Sequence, residues 1–120
     1  MIGTGIDLVE IPRFRTSIAN EDFLKRCFCN SEIEYYRKSK KITYLAGRFA
    51  AKEAVVKALG TGLIHGLSFT DIEIVSLPSG APSIVLRDET LELACTLGIK
   101  KWFVSISHTE NYATAIVIAE

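Results

Sequence analysis

Apolar and polar residues alternate near the start of the chain, which indicates a β-strand with two unlike sides. The predicted strand covers residues 2–10. One side carries three large apolar residues, Ile2, Ile6 and Leu8. The other side carries Gly3, Gly5, Asp7 and Val9. Because glycines occupy two of these positions, this side leaves room for another group to approach the backbone beside Asp7.

Helical signals follow this strand. A short helix is predicted over about 12–18, since a proline suits its first position. Asn20 resembles a helix N-cap, and two acidic residues follow it. Ser31 and Glu34 form a capping-box pattern, which predicts a helix over about 31–38.

The strongest helical pattern runs from about Tyr44 to Leu59 and ends at Gly60, a residue type that often ends helices. At about 100° per residue, one stripe of this helix is apolar and contains Leu45, Phe49, Val56 and Leu59. Lys52 lies inside that stripe, which is unusual for a charged residue. One edge of the helix combines small residues with a carboxylate and an amine: Ala46, Ala50, Glu53 and Lys57.

Beyond Gly62 the hydrophobic period changes to two. The elements predicted there are strands at 71–76 and 83–87, a helix from Asp88 to about Gly98, and a hairpin of residues 102–107 and 112–119. The predicted order is β, three helices, ββ, α, ββ. It indicates one α+β domain, residues 1–120, with a largely antiparallel sheet and a long central helix.

Composition places the chain among ordinary globular proteins. Of its 120 residues, 48% are hydrophobic and 23% are charged. No apolar run approaches the roughly 20 residues of a membrane span, and the N-terminus does not resemble a signal peptide. Together with an odd number of cysteines (Cys27, Cys29 and Cys95), this predicts a cytoplasmic protein whose thiols are reduced and have packing roles.

Charge is balanced overall but uneven along the chain. The net charge is zero, which argues against strong non-specific binding of nucleic acid. Residues 12–59 nevertheless hold eleven basic residues against five acidic ones. Such a basic region suits an acidic partner or a phosphorylated ligand, although solvated helix faces explain part of it equally well.

Asp7 and Glu53 are candidate metal ligands. Magnesium is usually bound by one or two carboxylates and completes its shell with water and substrate phosphates. A strand and an adjacent helix would supply the two carboxylates. Spacing alone also permits a simpler interpretation, in which Glu53 and Lys57 form a surface ion pair one helical turn apart.

Three further positions attract attention. The turn from Gly60 to Gly62 follows Lys57 and can present backbone N–H groups to a phosphate, yet Gly60 is already explained as a helix C-cap. The helix dipole also has the wrong orientation there for an anion. His108 lies near Ser105 and Ser107, but no Gly-x-Ser-x-Gly pattern surrounds them, which argues against a serine hydrolase.

Longer segments resemble the holo-acyl-carrier-protein synthases, the small bacterial phosphopantetheinyl transferases. The most specific are Gly5–Phe14 and Gly47–Gly62, and the others follow in the expected order: Ser68–Ile74, Gly80–Pro82 and Val104–Thr109. The resemblance covers nearly the whole chain. It implies a homotrimer with active sites between subunits, and burial between subunits is then expected to account for Lys52.

The resemblance also implies roles for individual residues. Asp7 and Glu53 match magnesium ligands, and Lys57 matches a lysine that contacts a coenzyme A phosphate. His108 matches a histidine near the reacting phosphates. The residues expected to line the coenzyme A cleft are Gly60, Thr61, Gly62, Ser68 and Pro82. The residues expected to dock an acidic acyl carrier protein are Arg13, Arg15 and Arg26.

The implied reaction, in fatty acid biosynthesis, moves 4′-phosphopantetheine from coenzyme A to a serine of the apo-carrier and releases 3′,5′-ADP. Glu53, Lys57 and His108 are the expected catalytic residues. The base that accepts the serine proton is either a water held by Glu53 or His108. Two alternatives stay open: a metal-dependent nucleotide phosphohydrolase and a non-enzymatic module that binds an acidic partner.

Overall fold

The computed structural model describes residues 1–60 and 67–120, which form five α-helices, a short 3-10 helix and five β-strands. In chain order they are β1 (Gly3–Glu10), α1 (Ile11–Ile18), α2 (Glu21–Cys27), α3 (Asn30–Ser39), α4 (Ile42–Leu59), the 3-10 helix (Phe69–Asp71), β2 (Ile72–Ser76), β3 (Pro82–Leu86), α5 (Asp88–Thr96), β4 (Trp102–His108) and β5 (Tyr112–Ala119). None of these helices is long and apolar enough to span a membrane.

The strands form two antiparallel sheets. One has the order β1-β5-β4 and the other pairs β2 with β3. In the larger sheet, Ala115 of β5 lies opposite Asp7 on one side and Ile106 on the other. The predicted α+β fold with a largely antiparallel sheet and a long central helix is therefore confirmed.

Helix α4 lies across β1 and β5, and glycines in β1 permit the close approach. A Cβ atom at Gly5 would overlap the carbonyl oxygen of Ala54, and one at Gly3 would overlap that of Ala58. The glycine side of the predicted strand thus faces the helix backbone, as its spacing indicated. The large apolar side faces outward, with Ile6 63% and Leu8 64% exposed.

Helix α4 is buried on most of its surface, so the single apolar stripe predicted for it is too narrow. Its buried residues are Leu45, Ala46, Gly47, Ala50, Ala51, Lys52, Ala54, Val55, Val56, Ala58 and Leu59. The helix ends where expected, at Gly60, which adopts the left-handed conformation at φ 78°. An aromatic cluster covers its other side, with the ring centroid of Phe49 within 6.1 Å of those of Phe14, Phe23, Phe28 and Phe69.

The predicted N-cap at Asn20 is confirmed, since its side chain accepts from the N–H groups of Asp22 and Phe23. The helix that it caps, α2, brings the α-helices described between β1 and β2 to four, whereas the predicted order had three. Other predicted helix starts are wrong. The capping box of α3 belongs to Cys29 and Glu32 rather than to Ser31 and Glu34. The hydroxyl of Ser31 instead donates to Glu73 at 2.8 Å.

The last helix also differs from its prediction. Arg87 occupies the N-cap position of α5, and Asp88 is already its first residue, with a left-handed φ of 53°. The side chain of Arg87 forms an ion pair with Glu73 of β2, so an interaction with a distant segment accompanies the start of α5.

Candidate active site

Asp7, Glu53 and Lys57 line one cavity of about 420 Å³. Strand β1 supplies the aspartate, and α4 supplies the other two side chains from successive turns. The Nζ atom of Lys57 lies 3.2 Å from Oδ1 of Asp7 and donates to the carbonyl oxygen of Ile6 at 2.9 Å. The structure therefore brings the two predicted metal ligands and the predicted phosphate-binding lysine together.

Backbone contacts on both sides of β1 hold Asp7 in place. On the helix side, Gly5 lets β1 touch α4 near Ala54. On the sheet side, the hydroxyl of Thr114 donates to the carbonyl oxygen of Asp7 at 2.7 Å. These contacts fix the strand at the residue whose side chain enters the cavity.

The two carboxylates influence each other. Burial raises the pKa of Glu53, and the negative charge of Asp7 raises it further. The positive charge of Lys57 opposes this change. A partly buried carboxylate beside a second negative charge attracts a cation, because added positive charge relieves both the repulsion and the lost hydration.

The site fits a hard cation that takes other ligands from solvent or substrate. Among residues 1–60 and 67–120, no group of three or more His, Cys, Asp or Glu side chains is arranged to hold a metal. A pair of carboxylates is nevertheless a sufficient protein contribution for magnesium, which usually keeps several waters. Asp7 and Glu53 are the residues in this cavity that could hold such an ion.

The same cavity has an apolar end. Phe14, Phe23 and Phe49 line it, and their rings are packed with centroids 5.4 and 5.8 Å apart around Phe49. Arg13 of α1 also borders the cavity and is exposed. The cavity therefore offers a pair of carboxylates, a basic rim and an aromatic surface to one ligand or partner.

His108 lies in a different cavity, of about 610 Å³, and no described residue lines both this cavity and the first. Lys41, Tyr44 and Arg48 line it too. The guanidinium of Arg48 lies 4.1 Å from the centre of the Tyr44 ring and donates to the Ser76 hydroxyl at 2.8 Å. Its buried Nε atom has no hydrogen-bond partner among residues 1–60 and 67–120.

Sequence reasoning missed this second basic cavity. Lys41 and Arg48 were only counted among the eleven basic residues of 12–59, although Arg48 lies in the Gly47–Gly62 segment that carries the resemblance. Stacking and hydrogen bonding orient the guanidinium of such an arginine before a ligand binds. Its planar group can then bind two phosphate oxygens at once. The position of Arg48 in that segment is the sequence feature that could have indicated this cavity.

The remaining predicted residues are spread over the surface. Ser68 caps the 3-10 helix and lines a cavity of about 550 Å³ together with Arg26. Pro82 begins β3 and lines a further cavity of about 330 Å³. Arg15 is exposed in the last turn of α1. Thr61 and Gly62 lie outside the described residues.

Known proteins resemble this chain over its full length. A holo-[acyl-carrier-protein] synthase of Koribacter versatilis is 42% identical and matches 100% of this chain and 98% of its own. One from Hydrogenovibrio crunogenus is 45% identical, with 100% and 97% covered. The region matched in these comparisons includes every described helix and strand.

Solved structures agree with the sequence comparison. The Helicobacter pylori holo-[acyl-carrier-protein] synthase in complex with coenzyme A shares 37% identity at a TM-score of 0.84, covering 98% of this chain and 99% of that one. The Neisseria meningitidis enzyme gives a TM-score of 0.90 at 32% identity, with 100% and 98% covered. With a family model that matches residues 3–117, the chain belongs to the 4′-phosphopantetheinyl transferase superfamily.

Proposed function

We propose that this protein is a holo-[acyl-carrier-protein] synthase: it transfers 4′-phosphopantetheine from coenzyme A to a serine of an apo-acyl carrier protein in fatty acid biosynthesis and releases 3′,5′-ADP. The observation that carries the proposal is the cavity shared by Asp7, Glu53 and Lys57. It occurs in a fold shared with relatives named for this activity, one of them in complex with coenzyme A.

Asp7 and Glu53 would hold a magnesium ion beside the pyrophosphate of coenzyme A. Bound there, magnesium supplies neutralising charge and a template for the phosphate oxygens. Lys57 adds a second positive charge at the same cavity, 3.2 Å from Asp7. In phosphoryl transfer, such positioning and charge stabilisation account for most of the catalysis.

The carrier serine must lose a proton as its oxygen attacks phosphorus. Glu53, acting through a held water, and His108 are the two groups proposed for this step. The raised pKa of Glu53 makes its carboxylate a better proton acceptor than an ordinary one. The pH dependence of kcat in His108→Gln distinguishes them: loss of one ionisation identifies the histidine, and an unchanged profile identifies the glutamate.

We further propose that a complete site forms between copies of the chain in a homotrimer. His108 and the basic residue Arg48 line a cavity separate from that of Glu53. An outward apolar face on the larger sheet offers a surface for association. Its exposed members are Ile6 (63%), Leu8 (64%), Phe103 (51%) and Ile116 (45%).

Sedimentation tests this assembly. Ile116→Lys should dissociate the trimer and abolish transfer, because a charge would then be buried in an apolar interface. Leu91→Lys is a matched control, since Leu91 is also 45% exposed but lies on α5. An Ile116→Lys protein that stays trimeric would exclude this sheet face as the interface.

The carrier would dock on the exposed basic surface of α1 and α2, where Arg13, Arg15 and Arg26 are solvent-accessible. Acidic side chains on a carrier suit such a surface. The coenzyme A cleft would include Gly60, Thr61, Gly62, Ser68 and Pro82. We place the reaction in the cytoplasm, where unpaired thiols such as the three of this chain are stable.

One assay separates this function from its alternatives. The protein is incubated with coenzyme A, magnesium and an apo-carrier, and the carrier is examined by mass spectrometry for phosphopantetheine on its serine. Asp7→Ala and Glu53→Ala should abolish the mass gain while the fold is retained. A phosphohydrolase would consume nucleotide without any carrier, and a binding module would tolerate both substitutions.

A further inference from the structure

Lys52 is fully buried in the middle of α4 within its own chain, and not between subunits as the resemblance to a homotrimeric family implied. Its ammonium group donates to three oxygens. They are Oε1 of Glu32 at 2.6 Å, the carbonyl of Cys27 at 2.9 Å and the carbonyl of Phe69 at 3.1 Å. All three donors of the ammonium group are therefore used.

Glu32, its partner, is equally buried at 1% exposure. Its carboxylate also accepts from the backbone N–H of Cys29 at 2.8 Å and from that of Ile74 at 3.1 Å. The pair thus joins α4 to the end of α2, the start of α3, the 3-10 helix and β2. Five segments meet at two charged side chains.

Stability alone is a weak explanation for such a pair. Removing two charges from water is costly, and well-packed neutral residues in place of a buried ion pair are often equally stable. What neutral residues lack is the directionality of these hydrogen bonds. The pair is therefore better explained by the positions that it imposes on the backbone groups it contacts.

The two carbonyl groups that the ammonium contacts belong to direct sequence neighbours of proposed functional residues. Cys27 follows Arg26, on the proposed carrier-docking surface. Phe69 follows Ser68, in the proposed coenzyme A cleft. Lys52 itself precedes Glu53, a proposed metal ligand.

We propose that Lys52 and Glu32 are positioning residues of the transferase. They hold the Ser68 turn and the Arg26 end of α2 in register with Glu53, and they do not themselves touch substrate. This inference rests on the function proposed above. It assigns a specific effect to the pair, which is alignment of the surfaces that bind coenzyme A and carrier. The position of the two carboxylates on β1 and α4 does not depend on this effect.

The test replaces the ion pair by neutral side chains of similar shape, Glu32→Gln with Lys52→Met. We expect KM for both coenzyme A and carrier to rise about tenfold or more, since misplaced binding groups weaken recognition steeply. The magnesium affinity, measured by calorimetry without coenzyme A, should stay within about twofold of wild type, because Gly5 and Ala54 hold the carboxylates independently.

A matched control separates positioning from stability. Ile99 is buried beyond α5 and borders neither the Glu53 cavity nor the Ser68 cavity, so Ile99→Ala lowers the melting temperature without altering either wall. It should leave both KM values unchanged. If the double variant also keeps both KM values, the pair is structural only and the proposal is wrong.

Further measurements keep the outcome decisive. If the double variant does not fold, Glu32→Asp takes its place. This substitution keeps both charges of the pair but shortens the side chain that carries the carboxylate. Unchanged KM values in Glu32→Asp would also reject the proposal. Wild-type protein that transfers nothing would refute the proposed function alone. The coenzyme A Kd of wild type and variant, measured by calorimetry, then decides the positioning role without turnover.

Discussion

Replacing Gly5 by alanine should push β1 away from α4 and so separate Asp7 from Glu53. The added Cβ atom would overlap the carbonyl oxygen of Ala54 and lie 2.7 Å from its carbonyl carbon. It would also lie 3.0 Å from the amide nitrogen of Ala58. These are backbone atoms that cannot rotate away, so the strand or the helix has to move.

The size of the effect follows from this geometry. Overpacking a core usually costs about 1–3 kcal/mol. We expect at least the upper end, about 3 kcal/mol, because both sides of the contact are backbone. A displacement of about 1 Å at a catalytic group can reduce the rate by about 100-fold, so the folded fraction should also transfer poorly.

Gly98→Ala is the matched control. Gly98 has a left-handed φ of 80°, but a Cβ atom there would lie within 4 Å of no atom in the part of the chain that the structure describes. Its substitution should therefore cost only the backbone strain, about 1 kcal/mol. Urea unfolding gives the two free energies, and calorimetry gives the magnesium affinity of each folded protein.

The outcome that refutes this reasoning is specific. Gly5→Ala protein as stable as Gly98→Ala, or with wild-type affinity for magnesium, would show that the close contact of β1 and α4 does not position the carboxylates.

Other predictions concern the charges and thiols. Because the pKa of Glu53 is raised in the folded protein, the folded state loses stability as the pH rises and this carboxyl group ionises. Glu53→Gln should therefore have a higher melting temperature than wild type at neutral pH, and this difference should disappear in acid. The same variant should lose transfer activity. Lys57→Met should bind magnesium more tightly without coenzyme A, by calorimetry, since Lys57 competes for Asp7, yet bind coenzyme A more weakly. Burial raises the pKa of Cys29 to about 11, so iodoacetamide at neutral pH should label exposed Cys95 first, and equal labelling would contradict this.

The crossing of β1 and α4 was predictable because its signals are local. Alternation placed Gly5 and Asp7 on one side of a strand, and helical spacing placed Ala50 and Glu53 on one edge of a helix. Two surfaces of small residues, each with a carboxylate, are complementary in shape. Their contact required no knowledge of distant residues.

Interactions between distant segments were not predictable in the same way. Ser31 was expected to cap its own helix, but its hydroxyl bonds to Glu73, 42 residues later. Cys29 takes the cap position instead, although cysteine is not a preferred N-cap residue. Lys52 was expected between subunits because the resemblance implied a homotrimer, and nothing in the sequence of its own helix indicated that Glu32 would contact it.

The pairing of β1 with β5 determines when this protein can become active. Asp7 is held by Thr114, which lies 107 residues further along the chain. During synthesis the strand that carries the aspartate therefore emerges long before its sheet partner, and it has no partner edge until β5 appears. Folding that depends on such distant contacts is slower than folding of local structure. The carboxylate site should consequently form late, and a nascent chain that lacks β5 should bind neither magnesium nor coenzyme A.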